Sequence, residues 1–157
     1  MSKNSKKRPN DLAKAVKRAS PPTRSSAGYS TRSLADKLGL KQGAVRAIIE
    51  APAGFDMLLG TTEFDTELDQ DSYDFIQFFG TSSLALRNVF PVLSKRLKSN
   101  GMLWISWPKK SSGEPTDLTE DRIREIGLAN GLVDVKVCAV DEKWSGLKFV
   151  YRLKDRV

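Results

Sequence analysis

The sequence predicts a small three-layer α/β domain on a mostly parallel sheet, preceded by a disordered basic arm. Three observations carry that expectation. From Tyr73 onward, continuous apolar runs alternate with amphipathic helical segments, the pattern of a sheet buried between helices. Charge is unevenly divided: of 26 basic and 19 acidic residues, eight and one fall within residues 1–30, so the remainder is electrically balanced. Finally, Trp104-Ile105-Ser106-Trp107-Pro108-Lys109-Lys110-Ser111-Ser112-Gly113 passes from a strand-like run into a polar, cationic loop. Open α/β sheets hold their ligands at such strand ends.

The 157 residues suffice for one domain with a core, and not for two large ones. We read residues 1–28 as the arm and 29–157 as a single α/β domain. Apolar runs fall far short of the roughly 20 residues that span a bilayer. No apolar stretch follows the N-terminal lysines, so no secretory signal is expected. One cysteine, Cys138, rules out an internal disulfide and fits a cytoplasmic home. The chain has no histidine, which excludes Ser-His-Asp and Cys-His catalysis and nearly every zinc site. No metal and no cofactor are expected.

The arm is rich in Lys, Ser, Pro and Arg, with room for one helix from Asn10 to Ala19 before Pro21-Pro22. Its Lys3, Lys6, Lys7, Arg8, Lys14, Lys17 and Arg18 are candidate contacts for nucleic acid or another polyanion. Ser30 or Thr31 is expected to cap a helix over Arg32–Leu38, stopped by Gly39. Residues 43–50 read as a strand feeding the Ala51-Pro52-Ala53-Gly54 turn. A helix-turn-helix over residues 34–49 is the alternative, weakened by Gly43.

Phe55–Leu59 reads as a short helix. Glu63 to Asp74 is acidic and reads as a solvated loop; a cation site or a resting place for the basic arm are the sharper readings. Tyr73–Phe79 is an aromatic-rich buried strand. Leu84–Leu97 is a helix with Leu86, Val89, Phe90, Leu93 and Leu97 on one face, and Pro91 is expected to kink it. Ser99-Asn100-Gly101 is expected to close that helix. Met102–Trp107 is the second strand of this part, with Trp104 in the core. Thr116–Glu120 supplies caps for a helix over Glu120–Ala129, ended by Asn130-Gly131. Leu132–Val140 and Gly146–Leu153 complete the sheet. Cys138 lies mid-strand as a small hydrophobe.

Several of these stretches resemble a known family. Leu103–Gly113, Thr116–Glu120, Gly131–Glu142 and Trp144–Leu147 are similar to a bacterial family catalogued as domain of unknown function 3052. So are Lys37–Gly43 and Ala51–Phe55. The similarity spans Gly28 to Arg152 and favours the strand over the helix-turn-helix. A weaker resemblance is to the second half of Rossmann-like methyltransferases. It implies a strand, a helix, a strand opened by glycine, a helix, and two closing strands in an antiparallel hairpin. There the glycine-rich turn after the first strand holds the methionine part of S-adenosylmethionine. Here that turn is Ala51-Pro52-Ala53-Gly54-Phe55, with one glycine, and no room remains for strands carrying the acidic ribose ligand.

Lys109, Lys110, Ser111 and Ser112 follow a strand end and precede a helix, where hydroxyls, ammonium groups and free amides suit an anion. Trp107 is a candidate to stack beside such a ligand, with Trp144 and Ser145 nearby. The expectation is therefore a non-catalytic cytoplasmic protein that binds a protein partner or a small anion and no membrane. Association with nucleic acid through the arm, and a degenerate methyltransferase-like enzyme, stay open as alternatives.

Overall fold

The apolar runs meet in one five-stranded sheet among residues 32–156, the part of the chain that the computed structural model describes. The arm at residues 1–28, its Asn10–Ala19 helix and its candidate contacts at Lys3, Lys6, Lys7, Arg8, Lys14, Lys17 and Arg18 lie outside the described residues.

Helix α1 spans Leu34–Leu38 and ends at Gly39, which adopts a left-handed φ of 80°. Its cap is Ser33, not Ser30 or Thr31: extended backbone at Ser33 lets its hydroxyl accept the Asp36 N–H at 3.1 Å. Residues Arg46–Ile49 then form strand β1, so no helix-turn-helix exists over residues 34–49. Gly43, at φ 83°, stops a second helix from starting, and the β-branched Ile48-Ile49 pair fits a pleat. Helix α2 is Phe55–Leu59 and strand β2 is Tyr73–Phe79.

Helix α3 covers Ser83–Lys95, capped by the Ser82 hydroxyl on the Ala85 N–H at 3.1 Å, and it continues through Pro91. It stops two residues short of Leu97, because Leu97–Pro108 is all strand β3. Ser99-Asn100-Gly101 thus forms a bulge in β3 instead of a helix terminus. Tyr73 pairs with Leu97 but Phe75 with Met102, so extra β3 residues bow out between the two pairs. Gly101 is required there: a Cβ would sit 3.0 Å from the carbonyl oxygens of Tyr73 and Asp74.

Helix α4, Glu120–Ala129, is capped by Thr119 and ends at Asn130. Strands β4 (Leu132–Ala139) and β5 (Trp144–Tyr151) form the closing hairpin; β5 starts and ends two residues earlier than the sequence suggested. The strand order is β1-β2-β3-β5-β4, with β1, β2 and β3 parallel and β5 reversed between β3 and β4. The ladder slips between the Asp134–Phe149 and Lys136–Lys148 pairs, leaving Val135 as a bulge on the outer strand.

Alternation along the strands sorts the core into two layers. Ile76, Leu103, Ile105, Trp107, Leu147 and Phe149 meet α3 and α4 on one face. Phe75, Phe79, Trp104 and Trp144 meet α1 and α2 on the other. Trp104 is fully buried and its indole N–H donates to the Leu38 carbonyl at 2.8 Å, tying α1 to the sheet. The outer edge of β1 is covered in part: Ile48 N–H donates to the Asp65 carbonyl at 2.8 Å and Asp65 N–H to the Arg46 carbonyl at 3.0 Å. The acidic run is thereby partly structural, since Asp65 also accepts the Tyr73 hydroxyl at 2.6 Å. Burial and the neighbouring Asp65 push the Tyr73 phenol up, while that hydrogen bond pulls the Asp65 carboxyl down. Among the described residues no group of His, Cys, Asp and Glu gathers to hold a metal, and no helix is long and apolar enough to cross a membrane.

Two positions make the packing testable. A Cβ on Gly127 would fall 2.1 Å from Phe149 Cε1. Gly127→Ala should therefore destabilise the fold by about 1–3 kcal/mol in urea titration, overriding its better helix propensity. Gln77 is fully buried, donates to Ser106 Oγ at 3.1 Å, and leaves its Oε1 without a partner. Ser106→Ala alone should cost about 1–3 kcal/mol, whereas Gln77→Met with Ser106→Ala should match or exceed the native stability. An additive double variant would disprove that coupling.

Candidate functional site

Parallel pairing brings the carboxyl ends of β1 and β2 side by side, and the reversed β5 delivers Trp144 to the same end of the sheet. A cavity of about 400 Å³ opens there, lined by Glu50, Phe79, Gly80, Thr81, Ser82 and Trp144. A second of about 400 Å³ lies between Pro52–Leu58 and the β4–β5 turn at Asp141 and Lys143. Three rings separate and wall them. Phe55 meets Phe79 edge-on with centroids 4.9 Å apart, and Phe79 meets Trp144 edge-on at 5.1 Å. Phe55 is only 3 % exposed. The turn that presents it is contorted: Glu50 takes a φ of 60° and Gly54 a φ of 85°. Glu50 is exposed at the cavity rim and alone among described non-glycine residues has positive φ.

The residues expected to bind a ligand are placed differently. Trp107 is buried, 8 % exposed, in the layer beneath α3 and α4 with Ile105 and Leu118. It packs in the core and has no free face for stacking. Trp144 is buried on the opposite face, and Ser145 pairs across from Trp107 in the ladder. Lys109 is spent on structure: its N–H donates to the Lys143 carbonyl at 2.8 Å and its ammonium to the Asp141 carbonyl at 2.7 Å. Ser112 donates to the Lys109 carbonyl at 2.7 Å, closing a single turn of 3₁₀ helix over Lys110–Ser112. Lys110 and Ser111 face solvent. These side chains belong to a strap pinned to the hairpin, with Lys143 paired to Glu114 at 3.1 Å. Their donors do not converge.

The strap also fills the N-terminus of α3. Asp117 accepts the Ser83 N–H at 2.8 Å and the Ser83 hydroxyl at 2.7 Å, and Thr116 donates to the Thr81 carbonyl at 2.6 Å. The anion at that helix end is therefore an internal carboxylate. The Ser83 hydroxyl and amide hold Asp117 below the ordinary carboxylate range. Sequence reading missed Asp117 because its partner lies 34 positions away. It missed the Phe55–Phe79–Trp144 contacts because nothing local marks an aromatic as one that closes a crevice.

With this geometry in view, the fold is that of a Rossmann-like methyltransferase. The chain is similar to a SAM dependent methyltransferase from Aquifex aeolicus, at 17% identity and a TM-score of 0.53, over 74% of this chain and 86% of that one. It is similar to the magnesium protoporphyrin IX methyltransferase of Synechocystis PCC 6803, solved with bound SAH, at 14% identity and a TM-score of 0.54, over 76% and 80%. A ribosomal protein L11 methylase from Lactobacillus delbrueckii subsp. bulgaricus aligns at 13% identity and a TM-score of 0.52, over 76% and 75%. At these identities the likeness is one of fold. No family model and no curated protein matches the sequence.

The residues present do not fit S-adenosylmethionine as the methyltransferase resemblance would place it. The turn after β1 has one glycine, Gly54, followed by the buried Phe55 ring packed against Phe79. Beyond β1 there is no further strand among the described residues to carry a ribose-binding carboxylate, and the Asp65 segment occupies part of that edge.

The strap's anchor is testable by pH. Because the folded Asp117 carboxyl is depressed, its contribution is complete above the ordinary carboxylate pKa of about 3.9 and is lost as pH falls through the depressed value. Asp117→Asn should lower the thermal midpoint at neutral pH and flatten the acid limb of the profile. An unchanged acid limb would remove Asp117 from that role.

Proposed function

We propose that this chain is a non-catalytic binding protein on a methyltransferase-type fold, whose ligand is a small anion and which does not use S-adenosylmethionine. The observation that carries the reading is the Phe55–Phe79–Trp144 contact, which puts apolar rings where that fold would seat the cofactor. That no strand lies beyond β1 among the described residues supports it. Composition supports it too, since a chain without histidine has few groups able to move protons near neutrality. From the motif residues at Lys37–Gly43, Ala51–Phe55 and Trp104–Gly113, we also infer membership in bacterial family 3052 and a cytoplasmic location.

Calorimetric titration of the full chain with S-adenosylmethionine and S-adenosylhomocysteine should give no saturable heat. Micromolar binding, or transfer of a labelled methyl group to any acceptor, would overturn the reading. The uneven charge of the arm supports a second activity, association with nucleic acid. In a gel shift the full chain should retard DNA or RNA weakly and with strong salt dependence, and a chain lacking residues 1–28 should not. Retained binding after that deletion would place the contact in the folded domain.

A further inference from the structure

A further cavity lies at the end of the sheet opposite the crevice. There the loop after α1 meets the bulge of β3 and encloses a cavity of about 400 Å³ lined by Lys41, Gln42, Asp74, Phe75, Asn100 and Met102. We propose that this amino-end cavity binds the phosphate group of a small molecule, with Lys41 and the amides of Lys41, Gln42 and Gly43 as its donors. The proposal deepens the anion-binding reading above and rests on it, but places the ligand away from the crevice.

The loop is built to present N–H groups. Arg46 donates to the Lys41 carbonyl at 2.7 Å and to the Ala44 carbonyl at 3.0 Å, drawing the carbonyl side of the turn onto one guanidinium. The amides of Lys41, Gln42 and Gly43 have no backbone acceptor among the described residues. Three successive N–H groups in a turn between Gly39 and Gly43, both at positive φ, are thereby left for an external acceptor, the kind of main-chain donor that anion sites use. A Cβ at Gly43 would meet nothing within 4 Å, so the space beside this turn is open.

The charge around the loop points the same way. Asp74, the carboxylate in the lining, is already used: its Oδ2 accepts the Val45 N–H at 2.8 Å and its Oδ1 pairs with Lys98 at 3.2 Å. On the Gly39 side stands Lys148, its ammonium 3.8 Å from where a Gly39 Cβ would lie. Lys148 has no hydrogen-bond or ion-pair partner among the described residues and sits directly across the ladder from Lys136. Like charges facing each other across a ladder are destabilising until an anion joins them. Burial, then the Lys136 charge, pushes the Lys148 ammonium down. The uncharged amides of Gln42 and Asn100 complete the rim and suit the ester side of a phosphate.

The test is a residue-resolved NMR titration of the full chain with inorganic phosphate and, in parallel, glycerol phosphate. Saturable shifts at the Lys41, Gln42 and Gly43 amides are expected with at least one probe, and tighter binding of the ester would assign an organic phosphate as the source. Lys41→Ala, at an exposed position, should keep the native spectrum and weaken binding about tenfold or more. Lys110→Ala, at the other end of the sheet, should leave the affinity unchanged. The proposal is overturned if shifts appear only within residues 1–28, if they never saturate, or if Lys110→Ala rather than Lys41→Ala abolishes them. Methyl transfer in the assay above would defeat the non-catalytic reading and leave this titration's result intact.

Discussion

The contact of Phe55 with Phe79, and of Phe79 with Trp144, ties together three segments that meet only at the carboxyl end of the sheet. Each edge-on pair contributes roughly 0.5–1.5 kcal/mol beyond the area it buries. The price is local: Glu50 must hold a left-handed backbone so that the chain can double back and point Phe55 inward. Once those rings are in place, they wall the two cavities that open at this end of the sheet.

The two ends of the sheet then differ in character. Glu50 and Asp141 border the cavities at the carboxyl end, while Lys109 is engaged with the Asp141 carbonyl and Lys143 with Glu114. At the amino end, Lys41 lines a cavity with Asp74, which is paired with Lys98, and two strands further on Lys148 faces Lys136 across the ladder.

How far the sequence could be read depended on whether its signals were local. Strand β2 and helix α4 were legible to the residue, because five aromatic or β-branched residues in seven and a Thr119 cap with its first-turn acids need no distant partner. The closing hairpin was legible through the order of its two strands. The bulge at Ser99–Gly101 was not: Ser-Asn-Gly marks helix ends and bulges alike, and only pairing with Tyr73 distinguishes them. The site was less legible still. The Lys109–Ser112 loop has the composition of an anion cradle, but the Asp141 carbonyl and Asp117, distant in the chain, decide its geometry. Trp107 looked free because a strand's last residue often is; here the packing of α3, α4 and Leu118 covers it.

The Val135 slip in β4 affects the far side of the sheet. Val135 and Val137 are about half exposed on an outermost strand, a composition that in a flat ribbon would recruit further chains into fibrils. The slip twists the ribbon at its midpoint, and Lys136 adds an unfavourable charge to any stack. A bulge and a charge at the middle of an outer strand are the means by which such an edge is kept from pairing with a second copy.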